Sequence, residues 1–155
     1  MKNNRVIEIV PKFSRKQVEV FVRREVQKIE AAILSRLLRI GENFIKNARS
    51  LGNYKDQTGN LRSSIGYVIM KDGEQISISF PGKSSVGSSQ GKTIAEKLKR
   101  KYSKTKGMVL ICIAGMEYAA AVESRGKDVI TGSTIIAKEE LKKAIKSIQD
   151  KVNKK

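Results

Sequence analysis

The residues closest in type and spacing to a chemical motif are Gly91-Lys92-Thr93. A phosphate-binding loop follows the pattern Gly-x-x-x-x-Gly-Lys-Ser/Thr, because its backbone N–H groups must wrap around the phosphates. The first glycine of that pattern would fall at Val86, and Gly87 leaves only three intervening residues. The segment before the motif is predicted to be half of an antiparallel hairpin, not part of a parallel βαβ unit. The sequence therefore argues against a nucleotide-hydrolysing enzyme.

Side chains suited to acid–base, nucleophilic or metal chemistry are scarce. The chain has no His, and its Cys, Asp and Glu residues show no metal-ligand spacing. This excludes zinc sites and His-based acid–base or triad chemistry. The single cysteine, Cys112, lies in the apolar run Val-Leu-Ile-Cys-Ile, where a buried, reduced thiol is expected. We therefore predict that the protein is not an enzyme and uses no metal or cofactor.

A basic segment is the strongest candidate for a binding surface. The chain has a net charge of +17, and residues 92–106 contain seven Lys or Arg residues and one Glu. Basic side chains can hold DNA phosphates without reading sequence. The alternative is a solvated surface that only keeps the protein soluble. Few aromatic side chains are present on which nucleic-acid bases could stack, because the chain has no Trp, four Phe and four Tyr. The candidate phosphate contacts are Lys97, Lys99, Arg100, Lys101, Lys104 and Lys106.

Length and composition predict one globular domain spanning residues 1–155. The chain is 39% hydrophobic and 30% charged, and no apolar run is long enough to span a membrane. Glu8 interrupts the short N-terminal apolar run, so a signal peptide is not predicted. These features and the lone cysteine favour an intracellular origin. Residues 1–13, which include Pro11, are expected to form an arm or an edge strand.

A long N-terminal helix is predicted from about Arg15 to Arg49, roughly 50 Å in length at 1.5 Å per residue. Ser14 and Gln17 have the spacing of a capping box. Further apolar residues widen the stripe beyond what one small sheet would cover, which suggests a partner subunit. The stripe itself recurs with a helical period through Val18, Val22, Val26, Ile29, Ile33, Leu37, Ile40, Phe44 and Ala48.

A β-hairpin is predicted around Asp72-Gly73, a favoured two-residue turn. Closing the hairpin there would place Ile69 opposite Ile76, with further apolar pairs at every second position. We expect this apolar face to pack on the long helix. The other two predicted pairs are Tyr67 with Ile78 and Ile65 with Phe80.

The rest of the chain predicts a loop, a strand and a second helix. Residues 81–106 are read as a flexible basic loop, whose second half could form a short helix. Residues 107–114 are apolar throughout and predict a buried strand, whereas 118–124 fit either a helical turn or a strand. The apolar spacing from Ile135 to Val152 predicts an amphipathic C-terminal helix.

Two short motifs stand in a fixed order within these elements. Thr-Gly-x-Leu-Arg-x-Ser opens the hairpin at residues 58–64, and Tyr-Ala-x-x-Val-Glu-x-x-Gly follows the later strand at residues 118–126. Over residues 15–150 this arrangement resembles the small head–tail joining, or tail-completion (neck), proteins of long-tailed bacteriophages and prophages. The matching positions are Thr58, Gly59, Leu61, Arg62, Ser64, Tyr118, Ala119, Val122, Glu123 and Gly126.

The resemblance implies an α+β fold in which a helix packs on an antiparallel sheet. It also implies a structural protein that forms a ring between the portal–connector complex and the tail tube, made in the bacterial cytoplasm and built into the virion neck. The motif residues would then be architectural: glycines for turns, Leu61 and Tyr118 for packing, and Glu123 for a turn cap or an ion pair between subunits. The chain departs from the family at residues 83–106, which resemble an insertion, and at residues 131–136, which replace the usual Pro/Phe-containing lead-in.

The sequence thus predicts a phage or prophage assembly protein that acts by self-association. It would contact connector and tail-tube proteins, with loose contact to DNA at its basic surface and no membrane association. A stand-alone, non-specific nucleic-acid-binding protein is the alternative.

Overall fold

The computed structural model describes residues 9–10 and 12–154, which form the predicted α+β fold. Three antiparallel strands form one sheet in the order β2-β1-β3. The long helix packs on one face of this sheet, and a helix from the middle of the chain packs on the other. In chain order the elements are α1 (Arg15–Leu51), α2 (Asn60–Ser63), β1 (Ile65–Lys71), β2 (Glu74–Ser79), α3 (Ser85–Tyr102), β3 (Met108–Ala114), α4 (Ala119–Ser124) and α5 (Thr131–Asn153).

The capping box predicted for α1 is present. The Ser14 Oγ accepts a hydrogen bond from the Gln17 N–H at 3.3 Å, and the Gln17 Oε1 accepts one from the Ser14 N–H at 2.7 Å. Both groups would otherwise be unsatisfied at a helix start. The helix ends at Leu51, two residues beyond its predicted end.

Helix α5 lies antiparallel to α1 and covers only part of it. The Asn43 amide donates to the Glu140 carboxylate at 3.2 Å, and the Arg36 guanidinium donates to the Ser147 Oγ at 3.4 Å. Sequence numbers rise along one helix as they fall along the other, so the end of α5 lies beside about residue 30 of α1. Residues 15–29 therefore extend roughly 22 Å beyond the body of the fold. We call residues 15–29 the projecting half of α1.

The central strand β1 is buried on both faces. Ile65, Tyr67 and Ile69 belong to the core against α1, as predicted from the alternation. The Tyr67 hydroxyl donates to the Glu42 carboxylate at 2.8 Å, and burial followed by this hydrogen bond raises the pKa of Tyr67 to about 12. A Cβ on Gly41 would lie 2.7 Å from the Tyr67 ring, so this glycine allows α1 to pack closely on β1.

The hairpin turn forms where predicted, but the predicted register is wrong beyond it. Asp72 and Gly73 both have positive φ, as a type I′ turn requires. The pairing shifts at Ile76, so that Ile78 lies opposite Val68 and Ser79 opposite Tyr67. The bulge moves Ile78 to the face that packs on α3, where Ile78 packs against a second apolar core.

The prediction of a flexible loop at residues 81–106 is also wrong, because most of this segment is α3. Its N-cap, Ser84, accepts a hydrogen bond from the Gly87 N–H at 3.2 Å. Ala95 is fully buried in the second core, beside Phe80 and the face of β1 that packs on α3. This segment is rich in Gly and Ser because small residues allow close contact between α3 and its neighbours, not because the segment is flexible.

The remaining predictions have mixed outcomes. The strand predicted at residues 107–114 is present as β3, and the ambiguous segment at 118–124 contains the short helix α4. The predicted N-terminal arm lies mostly outside the described residues, while residues 9–10 and 12–13 are in neither helix nor strand. Within the described part of the chain, no helix has the length and apolar character needed to cross a membrane.

Candidate functional site

The first motif forms a tight turn between α1 and the sheet. Gly59 has a φ of 70° and stands directly before α2, a conformation that favours glycine. The Thr58 Oγ1 accepts a hydrogen bond from the Asn60 N–H at 3.3 Å. Leu61 is buried in the core against α1. The glycine turn and the packing of Leu61 match the architectural roles that the resemblance implied.

Arg62 fixes the segment that follows α1. Its guanidinium donates to the Gly52 carbonyl at 3.2 Å and lies 4.8 Å from the centre of the Tyr54 ring. Its backbone N–H donates to the Asp56 carboxylate at 2.8 Å. The Arg62 side chain is therefore used within the fold and is not presented to an outside phosphate.

Ser64 connects the two motif segments. Its Oγ is fully buried, donates to the Leu61 carbonyl at 2.8 Å, and accepts from the N–H groups of Gly115 at 3.2 Å and Met116 at 3.3 Å. The second motif begins two residues after Met116. This buried hydroxyl makes all three hydrogen bonds and so fixes the backbone at Leu61 and at Gly115 and Met116, because each polar group left unpaired would cost about 1–3 kcal/mol.

The second motif lies beside the first. Ala119 is buried and Val122 packs against the same core, but Tyr118 is 42% exposed, so the packing role predicted for Tyr118 is wrong. Tyr118 instead borders a small cleft of about 260 Å³, together with Val122. Thr58 and Leu61 line the same cleft. The cleft is thus the place where residues of the two motifs meet.

Glu123 caps the last helix, which is one of the two roles predicted for it. Its Oε1 accepts from the N–H groups of Ile130 at 2.9 Å and Thr131 at 3.1 Å, at the start of α5. Burial raises the pKa of the Glu123 carboxyl, but these hydrogen bonds outweigh it and leave the pKa below the usual range. Gly126, with a φ of 74°, allows the turn between α4 and this cap.

The predicted phosphate contacts are split between α3 and the turn after it. Lys97, Arg100 and Lys101 are exposed on α3, and Lys104 and Lys106 are exposed beyond its end. Lys99 differs from them, because its ammonium group contacts the Glu96 carboxylate at 2.5 Å and the Gln75 side chain at 2.8 Å. Five of the six predicted residues therefore form an exposed basic surface, and the sixth supports the contact between α3 and β2.

The segment Gly91-Lys92-Thr93 lies inside α3 and forms no phosphate-binding loop. A Cβ on Gly91 would lie 2.5 Å from the Phe80 ring, and one on Gly115 would lie 2.4 Å from the Gly91 Cα. Gly91 is therefore where α3 approaches the end of β3 most closely. Among the described residues, no group of three His, Cys, Asp or Glu could hold a metal ion.

Among the described residues, two apolar surfaces stand out on the outside of the fold. One is the projecting half of α1, where Phe21 is 63% exposed and Val18, Val22 and Val26 are also exposed. The other is a groove beside β3, which sequence reasoning missed because it depends on how far α5 lies from the sheet edge. Cys112 lies in this groove, half-buried, and burial raises the pKa of its thiol to about 12.

No protein family, curated protein or solved structure matches the chain. Its function must therefore be argued from the motif geometry and from the basic and apolar surfaces.

Proposed function

We propose that this chain is a structural virion-assembly protein of a tailed phage or prophage, which joins the head connector to the tail by forming an oligomeric ring. The observation that carries the proposal is that residues 58–64 and 118–126 meet at the small cleft, with Ser64 hydrogen-bonded to Gly115 and Met116 just before the second motif. Their contacts position backbone and helix ends, as expected for a protein whose motifs are architectural.

The apolar surface on α1 supports assembly. The projecting half of α1 exposes Phe21 and three valines at helical spacing, and α5 does not reach it. A stripe of this kind on a small protein is typical of a protein–protein contact. Its partners would be further copies of the chain, the connector and the tail-tube protein, and its location would be the virion neck.

Light scattering and electron microscopy of the purified protein test this proposal. We expect ring-sized oligomers, formed alone or on addition of purified connector or tail-tube protein. Genes for portal, capsid and tail-tube proteins next to the gene for this chain would add independent support. A protein that remains monomeric with both partners and forms no rings would contradict the proposal.

The second candidate is a stand-alone, non-specific nucleic-acid-binding protein. It is favoured by the exposed basic residues at the C-terminal end of α3, together with the net charge of +17. A mobility-shift titration with duplex DNA tests it. A monomer that binds DNA with micromolar affinity and loses it as salt rises would support this function over head–tail joining. No shift at low ionic strength would remove DNA contact from both candidates.

A further inference from the structure

The outer edge of β3 is open. In the described chain the sheet order is β2-β1-β3, so no strand pairs with the far side of β3. The strand reads Met-Val-Leu-Ile-Cys-Ile-Ala and has no polar or charged residue that would discourage pairing. An uncovered apolar edge strand presents a row of backbone N–H and C=O groups to any further strand.

An apolar groove runs beside this edge. The groove lies between the strand β3 and the helices α1 and α5 and has a volume of about 880 Å³. Met108, Leu110 and Cys112 line it from the strand, and all three are only partly buried. From α5, Leu141 and Ile145 line it, and Ile145 is 48% exposed. A strand added at the edge would cover these side chains on one face while pairing with β3.

The chain contains a segment that fits this position. Residues 6–10 read Val-Ile-Glu-Ile-Val, and alternation in a strand would place Ile7 and Ile9 on the same face. The described part of this segment is uncovered, with Ile9 89% and Val10 69% exposed. Two β-branched side chains on one face match the apolar groove.

The arm is too short to run along the whole edge of its own chain. Lys71, which pairs with Met108 at the start of β3, contacts Glu30 at 2.7 Å. Glu30 lies about 24 Å along α1 from Ser14 at 1.5 Å per residue. Val10 precedes Ser14 by four residues, which span at most about 14 Å. Residues 6–10 can therefore reach the whole edge only on a second copy.

We propose that residues 6–10 of one copy add to the β3 edge of a second copy as a fourth strand, with Ile7 and Ile9 in the groove between α5 and the sheet. Main-chain pairing would supply affinity and the groove would supply specificity. Each copy gives one arm and receives another, a head-to-tail contact that closes into a ring when its rotation allows. The inference rests on the self-association in the proposed function, but not on its phage context.

Cys112 provides the test, because it is the only cysteine and lies in the groove. Its rate of alkylation by a maleimide is measured by mass spectrometry on the full-length chain, over a range of protein concentrations. We compare the parent with I7K/I9K and with the matched control N3K/N4K, which adds the same charge outside the apolar run. We expect I7K/I9K to react at least tenfold faster than the parent, with N3K/N4K matching the parent. Protection should increase with protein concentration.

A second experiment traps the contact covalently. In the variant I9C, mild oxidation should join the introduced thiol of one copy to Cys112 of the next, giving dimers and longer chains on non-reducing gels. The control V20C, exposed on α1, should remain uncross-linked to Cys112. Equal alkylation of all variants, or protection that is independent of concentration, overturns the arm exchange. If rings form but Cys112 is not protected, the arm exchange is rejected and the head–tail function is not. If arm-dependent chains form but no rings appear, even with connector or tail-tube protein, the head–tail function is rejected and the arm exchange is not.

Discussion

At the scale of single residues, Glu123 supplies a hydrogen-bond acceptor that the N-cap residue of α5 lacks. Its N-cap position is Ile130, which has no side-chain acceptor, so the carboxylate of Glu123 reaches across from α4 to accept the hydrogen bonds. A carboxylate at a helix N-terminus is also favoured by the helix dipole. The motif glutamate therefore joins α4 to the start of α5.

Replacing Glu123 with Gln should lower stability at neutral pH by about 0.3–1 kcal/mol, because the amide oxygen can still accept the hydrogen bonds but the negative charge at the helix N-terminus is lost. Because folding lowers the pKa of Glu123, its contribution is present above the ordinary carboxyl pKa of about 4.3 and is lost as pH falls through the lowered value. Urea unfolding at pH 7 and below pH 4 measures the difference, which should shrink in acid. The exposed control E117Q should change stability little, and an equal loss in both variants would contradict the cap.

Gly41 gives a second prediction at this scale. An alanine normally stabilises a helix interior by about 1 kcal/mol relative to glycine. Here its Cβ would lie 2.7 Å from the Tyr67 ring, and overpacking costs about 1–3 kcal/mol. We expect G41A to destabilise the protein by up to about 2 kcal/mol in urea unfolding. The matched control S35A, on the exposed side of α1, should be neutral or slightly stabilising, and a G41A that behaves in the same way would refute the close contact.

At the scale of elements, periodicity predicted more than composition did. The stripe of α1, its capping box, the turn at Asp72-Gly73 and the face of β1 that meets α1 all followed from residue spacing. The hairpin register failed at Ile76, because the bulge is set by the second core, which local pairing rules do not include. For the helix at Ser85–Tyr102, only the second half was foreseen as a possible helix, because the first half contains glycines that allow close contact with α2 and Phe80.

The order of α3 can be tested with trypsin, because residues 92–106 contain seven Lys or Arg residues. The parent should resist cleavage within α3, at residues 92–101, since Ala95 anchors the helix in the second core. A95D should be cut in this segment at least tenfold faster, because a buried charge would detach the helix. S89D, which adds the same charge on an exposed position of α3, should resist like the parent. Rapid cleavage of the parent would restore the flexible-loop interpretation.

For the candidate site, the sequence predicted positions but not all roles. The resemblance implied architectural roles for the motif residues, and in the structure Ser64 and Glu123 each accept hydrogen bonds from backbone N–H groups. Tyr118 could not be assigned correctly, because its exposure depends on how α4 is turned relative to the first motif. The groove at β3 had no signal in the sequence beyond an apolar strand, since a groove arises from the spacing of three elements.

At the scale of the whole molecule, charge makes DNA binding and self-association respond oppositely to salt. Copies with a net charge of +17 repel one another, so screening should strengthen assembly through apolar surfaces. DNA binding should weaken as salt displaces the phosphate contacts. Sedimentation and mobility-shift titrations from about 50 to 300 mM salt measure the two trends. DNA affinity that does not change with salt would exclude phosphate contacts as its source.

Charge-reversal variants can separate the effect of the basic surface on α3 from the effect of the net charge on DNA binding. The variant K97E/R100E/K101E should lose DNA affinity and reduce the slope of log affinity against log salt by about 3, roughly one for each phosphate contact. The control K143E/K146E/K151E makes the same charge change on exposed positions of α5. Equal losses in both variants would mean that net charge, rather than the α3 surface, attracts the DNA.

The sheet order has one further consequence for residues 81–106. Because β2 and β3 are each antiparallel to the strand between them, they run parallel to each other. Parallel strands cannot be joined by a tight turn, because the chain must travel back the full strand length before it re-enters the sheet. Helix α3 is that return path. A shortened relative of this chain could not simply lose the segment, because β3 would then have to reverse direction or leave the sheet.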